Sequence, residues 1–184
     1  MTRSCQSAPH HPYPETLVQS VSLPDGRVVT IRPIRPADAA IEQDFVKDLS
    51  IQSRYQRFMF ALRELSPEML SRLTQIDYEH DMALIAVQDT PQGERQVGVA
   101  RYAMLPDGQS CEFAVVVADD WQGKGLAHQL MQRLIEAARD RGLRVMGGIR
   151  LLKNARMQDL ACSLGFQSGI DPDDPGLVHM RLEL

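Results

Sequence analysis

The chain has 184 residues, 43% hydrophobic and 24% charged, enough to bury one core without disulfide or metal staples. Its formal net charge of −4 argues against a nucleic-acid binder, and no apolar run approaches bilayer-spanning length. Cys5, Cys111 and Cys162 are odd in number and far apart, which excludes a disulfide framework or a zinc-ligand spacing and makes a reducing, cytoplasmic setting the default.

In chain order, residues 1–20 carry Pro9, Pro12 and Pro14 among polar residues and read as a flexible leader to a single domain over 21–184. No apolar signal region is present in it, and the adjacent His10 and His11 are not read as a metal site. Val21–Leu23, Pro24-Asp25-Gly26 and Val28–Ile31 predict a strand, a turn and a second strand, ended by Pro33 and Pro36. Asp38 is placed to cap a helix with Ile41, Phe45, Val46 and Leu49 at helical spacing. A second helical stretch holds Ile51, Tyr55, Phe58, Met59 and Leu62, and a third starts at Ser66-Pro67-Glu68 and runs to about Ile76. Strands follow at Met82–Val87, Val97–Met104 and Cys111–Ala118, the last two joined by a Pro106-Asp107-Gly108 turn. The nearly unbroken apolar run of the third predicts cover on both faces. A long helix with the stripe Leu126, Leu130, Met131, Leu134 and Ala138 stops at Gly142. A strand at Val145–Ile149, a helix at Asn154–Leu164 and a strand at Leu177–Leu182 complete an α/β or α+β sheet covered by helices.

The segment from Gln122 to Ala127 joins a buried strand directly to that long helix. Glycines allow left-handed backbone and close approach of a ligand. The first helical amides have no internal partner and carry the positive end of the helix dipole, which makes a phosphate cradle. Lys124 adds a charge nearby. The run lacks the Gly-Lys-Ser/Thr ending of a Walker A loop and the third glycine of the dinucleotide fingerprint. On the residues alone, a plain strand-to-helix turn stays equally open.

Gln122-Gly123-Lys124-Gly125-Leu126-Ala127 resembles the pyrophosphate motif of the GNAT N-acetyltransferases, Gln/Arg-x-x-Gly-x-Gly/Ala. Asn154, Ala161 and Leu164-Gly165-Phe166 fall where that family has an Asn-led helix ending in Gly-Phe. Ile31-Arg32-Pro33-Ile34-Arg35-Pro36, Ser53-Arg54-Tyr55-Gln56-Arg57-Phe58, Leu73–Tyr78 and Glu112–Val117 further resemble the acetyltransferase module of Pat-type protein lysine acetyltransferases. In many of those proteins the module is fused to an acyl-CoA-synthetase-like domain. These 184 residues hold no such domain, so a stand-alone module is expected.

The resemblance implies a GNAT fold with a mixed, mostly antiparallel sheet of about six to seven strands. It also implies acetyl-CoA as acyl donor, no metal, and direct attack of an amine on the thioester. Val115, Val116 and Val117 would line the pantetheine arm like an added strand, and an amide there would polarise the thioester carbonyl. Glu112 is the expected general base: it is the only charge in its strand, and a carboxylate in apolar surroundings has a raised pKa suited to proton pickup near neutral pH. A cross-strand partnership with Arg101 or Tyr102 is the bland alternative. Ala161 stands where many family members carry a tyrosine acid for the leaving thiolate; Cys162 and Ser163 should point elsewhere. Asn154 is assigned to the pantetheine or the strand backbone, with a helix cap as the alternative.

Arg54 and Arg57 are expected to face the cofactor cleft or pair with acids. Asp77–Asp81 reads as a solvated loop before a substrate loop. Asp171–Gly176 is equally a substrate rim, which would attract a cation, and a solvated turn. His80, His128 and His179 have no recognisable partner. The acceptor is expected to be a protein lysine, with a small amine or a non-catalytic acyl-CoA sensor as alternatives. No nucleic acid or membrane partner is expected, and a homodimer stays open.

Overall fold

The computed structural model describes residues 12–184, so Cys5, His10, His11 and the first part of the leader lie outside the described residues. From residue 12 onward the leader is held on the sheet. Glu15–Leu17 make a 3-10 turn and Gln19–Ser22 form strand β1. Tyr13 donates its hydroxyl to the Pro33 carbonyl at 2.9 Å and stands edge-on to Tyr78, ring centroids 5.7 Å apart. Proline-rich chain is extended chain, and extended chain can feed an edge strand as readily as a loose tail.

Strand β2 spans Val28–Pro33. At its end the buried Arg32 forks onto both oxygens of Asp38 at 2.8 Å, and Asp38 also accepts the Arg35 amide at 2.7 Å. Paired this way, the ions satisfy each other out of water. Helices α1 (Ala39–Asp48), α2 (Ile51–Phe58) and α3 (Pro67–Thr74) follow. Ser66 caps α3 as its sequence predicts, accepting the Met69 amide at 3.2 Å. The left-handed Met59 (φ 63°) ends α2 before Leu62.

Strands β3 (Asp81–Thr90), β4 (Gly93–Met104) and β5 (Ser110–Val117) form an antiparallel meander. Helix α4 (Leu126–Asp140), strand β6 (Val145–Leu151), helix α5 (Ala155–Ser163) and strands β7 (Gln167–Ile170) and β8 (Leu177–Glu183) complete the chain. The eight strands run in the order β1-β2-β3-β4-β5-β6-β8-β7, and β5–β6 is the parallel pair.

Helix α4 buries Leu126, Leu130, Met131 and Leu134 against one sheet face, so closely that a Cβ on Gly98 would lie 3.0 Å from Leu130. Alternation turns Arg101 to the other face, where its guanidinium donates to the Leu73 carbonyl of α3 at 3.0 Å. Helices α1–α3 therefore cover that face. No helix among the described residues is long and apolar enough to cross a membrane.

Candidate active site

Strands β5 and β6 pair only at Ser110↔Val145, Cys111↔Met146 and Glu112↔Gly147. Past that point the Phe113 ring lies across Gly148, where a Cβ would approach it to 2.7 Å. Phe166 backs the ring at a centroid distance of 4.9 Å. The strands part, and residues 113–117 keep one edge without a strand partner. Val115 and Val116 are only half-buried there. The expected cover on both faces of β5 thus fails over its second half: the apolar run is the wall of a cleft, and a ligand rather than a helix would complete its burial.

That cleft is a cavity of about 450 Å³. Val115, Val116, Val117, Gln122, Gly123, Gly125, Leu126, Ala127 and Asn154 all line it. Gly123 and Gly125 are left-handed at φ 71° and 85°, a conformation that costs other residues about 1–2 kcal/mol. The first helical bond of α4 is Gln129 N to Gly125 O at 3.1 Å, and the amides of residues 123–128 have no hydrogen-bond acceptor among the described residues. A run of free amides at a helix N-terminus, opening on a long apolar groove, fits a ligand with phosphates at one end and an extended arm.

The Gln122 side chain anchors the loop. Its amide donates to Ser53 Oγ and to the Val117 carbonyl, both at 3.1 Å, and its oxygen accepts from Arg156 of α5. Lys124 is not on the cavity wall and lies 3.9 Å from Asp25. Asn154 caps α5, accepting the Met157 amide at 3.2 Å. Asp119 clamps α2 to the loop through the Ser50 amide and hydroxyl, both at 2.8 Å, and the Ser53 hydroxyl at 2.7 Å. Burial pushes the Asp119 carboxyl up; the Ser50 amide and the two hydroxyls outweigh it and hold the group below the usual carboxylate range. Asp119 and Arg156 carry no motif signal, and Ser53 appears only within a longer resembling segment with no role of its own; the folded contact between α2, α5 and the loop brings all three forward.

A second cavity, about 550 Å³, lies under α3 and shares Arg57, Phe113 and Ala114 with the first. Glu112 and Asp81 line it. Glu112 is exposed, which removes the burial argument made for it from sequence, and its cross-strand neighbour is Ala103 rather than Arg101 or Tyr102. It sits on the last pair before the strands part. Burial pushes the Asp81 carboxyl up, with the Asp77 charge adding to it.

The arginines of α2 divide. Arg54 donates to the Lys47 carbonyl at 2.7 Å and closes the end of α1. Arg57 faces both cavities, its guanidinium 4.8 Å over the Phe58 ring. Burial, aided by the nearby Arg101 charge, lowers the Arg57 pKa to about 10.

Other expectations are revised. Ser163 lines the first cavity with His128, whose Nδ1 is 3.2 Å from its hydroxyl. His80 pairs with Asp77 at 2.8 Å, and His179 with Asp171. Of Asp77–Asp81 only Asp81 reaches a cavity wall, because Asp77 turns its carboxylate onto the amides of Glu79, His80 and Asp81. None of residues 171–176 lines either cavity; Asp171 instead accepts the amides of Asp173 and Asp174 at 2.8 and 2.9 Å. A loop that satisfies its own backbone needs no ligand to explain its aspartates.

The comparisons with known proteins agree with this geometry. Residues 48–166 match the Acetyltransferase (GNAT) family. An acetyltransferase of Pseudomonas aeruginosa is 44% identical over 163 residues, 89% of this chain and 88% of that one. The GNAT domain of S. lividans PAT superposes with a TM-score of 0.85 at 27% identity, covering 94% of this chain and all of that domain. The Salmonella typhimurium yncA protein, solved with its cofactor acetyl-CoA, gives 0.65 at 25% identity over 85% of this chain and 94% of its own. The parted strands, the glycine cradle and these matches converge: the chain belongs to the GNAT acetyltransferase family, as an acyl-CoA-dependent acetyltransferase whose module is similar to that of PAT.

Proposed function

We propose that the protein transfers an acetyl group from acetyl-CoA to a primary amine, with a protein lysine side chain as acceptor and Glu112 as general base. The observation that carries this reading is the meeting of the two cavities at Phe113 and Ala114, with the glycine cradle on one side and Glu112 on the other. The lysine acceptor rests on the likeness to the PAT module. When bound, the donor supplies an acetyl group activated as a thioester.

Each residue then has a defined task. The free amides of residues 123–128 hold the pyrophosphate, with Gln122 keeping the loop in place. Val115, Val116 and Val117 offer the open edge of β5 to the pantetheine arm, and an amide on that edge meets the charge that grows on the carbonyl oxygen. Asn154 fixes the start of α5 beside that arm. Glu112 takes the proton of the incoming ammonium, directly or through one water, so that the nitrogen lone pair is free to attack. Lys124 contributes positive charge behind the loop rather than a contact. Asp81 adds a second acid on the acceptor side. Cys111 and Cys162 are free thiols, in keeping with a reducing cytoplasm.

A small amine is the second reading, favoured by the arginines on the acceptor-side wall. Incubation with acetyl-CoA and a panel of lysine peptides and small amines, followed by free thiol release, tests the proposal. Thiol release that needs an amine and falls in Glu112→Gln supports it; release without any amine dependence contradicts it.

A further inference from the structure

The amine-acetylation reading leaves one charged group without a task. Arg57 projects from α2 to the junction of the two cavities. Among the described residues its guanidinium makes no hydrogen bond and no ion pair; it lies over the Phe58 ring, and the charges of Glu42 and Glu112 reach it only at longer range. A half-buried guanidinium whose donors meet no protein acceptor shares them only with water, and an anion on a ligand could take them up in its place.

Arg101 sits close by on the same wall and repels it. That second arginine is itself under-used: one nitrogen donates to the Leu73 carbonyl, the nearest carboxylate, Glu42, is 4.0 Å away, and its buried Nε has no partner. Two adjacent cations with unspent donors at the point of transfer make an anion site. Asp81 and Glu112 lie on the same cavity wall and suit the ammonium of the acceptor. The wall therefore presents both signs of charge.

Resting on the acetylation reading, we propose that Arg57, with Arg101 behind it, is a specificity-determining residue that recognises a carboxylate carried by the acceptor a few bonds from the reacting amine. A guanidinium fork matches a carboxylate in two parallel hydrogen bonds, which an ammonium cannot reproduce. The carboxylate has two sources of the same chemistry: a free amino acid, or an acidic side chain beside the target lysine. Neither changes the reaction itself. The amine nitrogen still gains the acetyl group and the thiol leaves; Arg57 holds the acceptor in register.

The test uses the full chain, acetyl-CoA and matched acceptors: amino acids against their decarboxylated amines, and lysine peptides with a neighbouring aspartate against asparagine. The carboxylated member of at least one pair should show a kcat/KM higher by roughly ten- to a hundredfold, the worth of hydrogen bonds to a charged group. Which pair responds identifies the source. In Arg57→Gln the preference should vanish through KM rather than kcat, and Arg57→Lys should restore part of it. Equal rates within every pair overturn the proposal, as does an Arg57→Gln variant that slows all acceptors alike. A preference for succinyl-CoA over acetyl-CoA that depends on Arg57 would move the carboxylate to the acyl chain and overturn the assignment to the acceptor. If no amine is acetylated, the acetylation reading falls instead. Calorimetric binding of the carboxylated amines to wild type and Arg57→Gln still decides the present inference: binding lost in the variant supports it, and no difference overturns it.

Discussion

Replacing Gly148 by alanine tests the parting of β5 and β6 at its tightest point. The new methyl would lie 2.7 Å from one Phe113 ring carbon and 3.0 Å from the next. Carbon atoms prefer about 3.5–4.0 Å, so ring or strand must yield by about 1 Å. The ring cannot retreat, because Phe166 backs it at 4.9 Å. It can only swing toward the shared wall of the two cavities, which Phe113 already lines. Overpacking of this kind costs about 1–3 kcal/mol. If strand and ring stay in place, the cost appears in stability, as a melting midpoint lowered by roughly 2–4 °C per kcal/mol for a chain of this size. If the ring swings, stability recovers and acetyl-CoA affinity falls instead, by about tenfold for each 1.4 kcal/mol. Thermal melts and equilibrium acetyl-CoA binding, measured on the same sample, separate the two routes. A smaller side chain at the ring position should relieve either loss, so the Gly148→Ala, Phe113→Leu cycle should show strong coupling. An alanine variant with unchanged melting and unchanged affinity would refute the close approach and the account of the cleft built on it.

Gly125→Ala should weaken acetyl-CoA binding by about 1–2 kcal/mol while the fold persists. Its nearest new contact, Pro24 Cδ at 3.8 Å, is ordinary, so the cost is that of the φ of 85° alone; it passes to binding as the free loop relaxes out of that φ and must be forced back by the donor, and unchanged calorimetric affinity would remove the loop from the donor site. Glu112→Gln should lower kcat by about 10²–10⁴ while acetyl-CoA binding persists; an unchanged kcat would make Glu112 structural. Asp119→Asn should loosen Ser53, and with it Gln122, costing roughly two- to tenfold in acetyl-CoA affinity. Because the folded Asp119 carboxyl is held below its ordinary value, its stabilisation is present above about pH 4 and is lost as pH falls through the folded value. Acid unfolding of the asparagine variant should therefore be shallower in that window, and identical acid limbs would contradict the clamp.

How much was legible in the sequence depends on whether a feature is local. Ser66-Pro67 and the Gln122–Ala127 run could be read directly, since capping and left-handed glycines act within a few residues. The position of strand β7 is not legible because all four of its residues are exposed and nothing alternates. The apolar run of β5 reads the same whether a helix or a ligand covers it, so composition alone hides the open edge at Val115 and Val116; the family resemblance implies it, and the short β5–β6 pairing displays it. The exposure of Glu112 is hidden for the same reason: its apolar neighbours in sequence point to the other face or into the cleft. Arg57 is a matter of absent partners, and partners are absent only once α2, α3 and β4 have been placed around it.

Mass analysis of the amine products, with thiol release counted in parallel, tests the central claim most directly. The account predicts one acetyl group on the acceptor nitrogen for each thiol freed, with both signals abolished together by disruption of the 123–128 cradle and both slowed together in Glu112→Gln. Acetyl-CoA that binds but is never discharged to any amine, or thiol release without an acetylated amine, would contradict it.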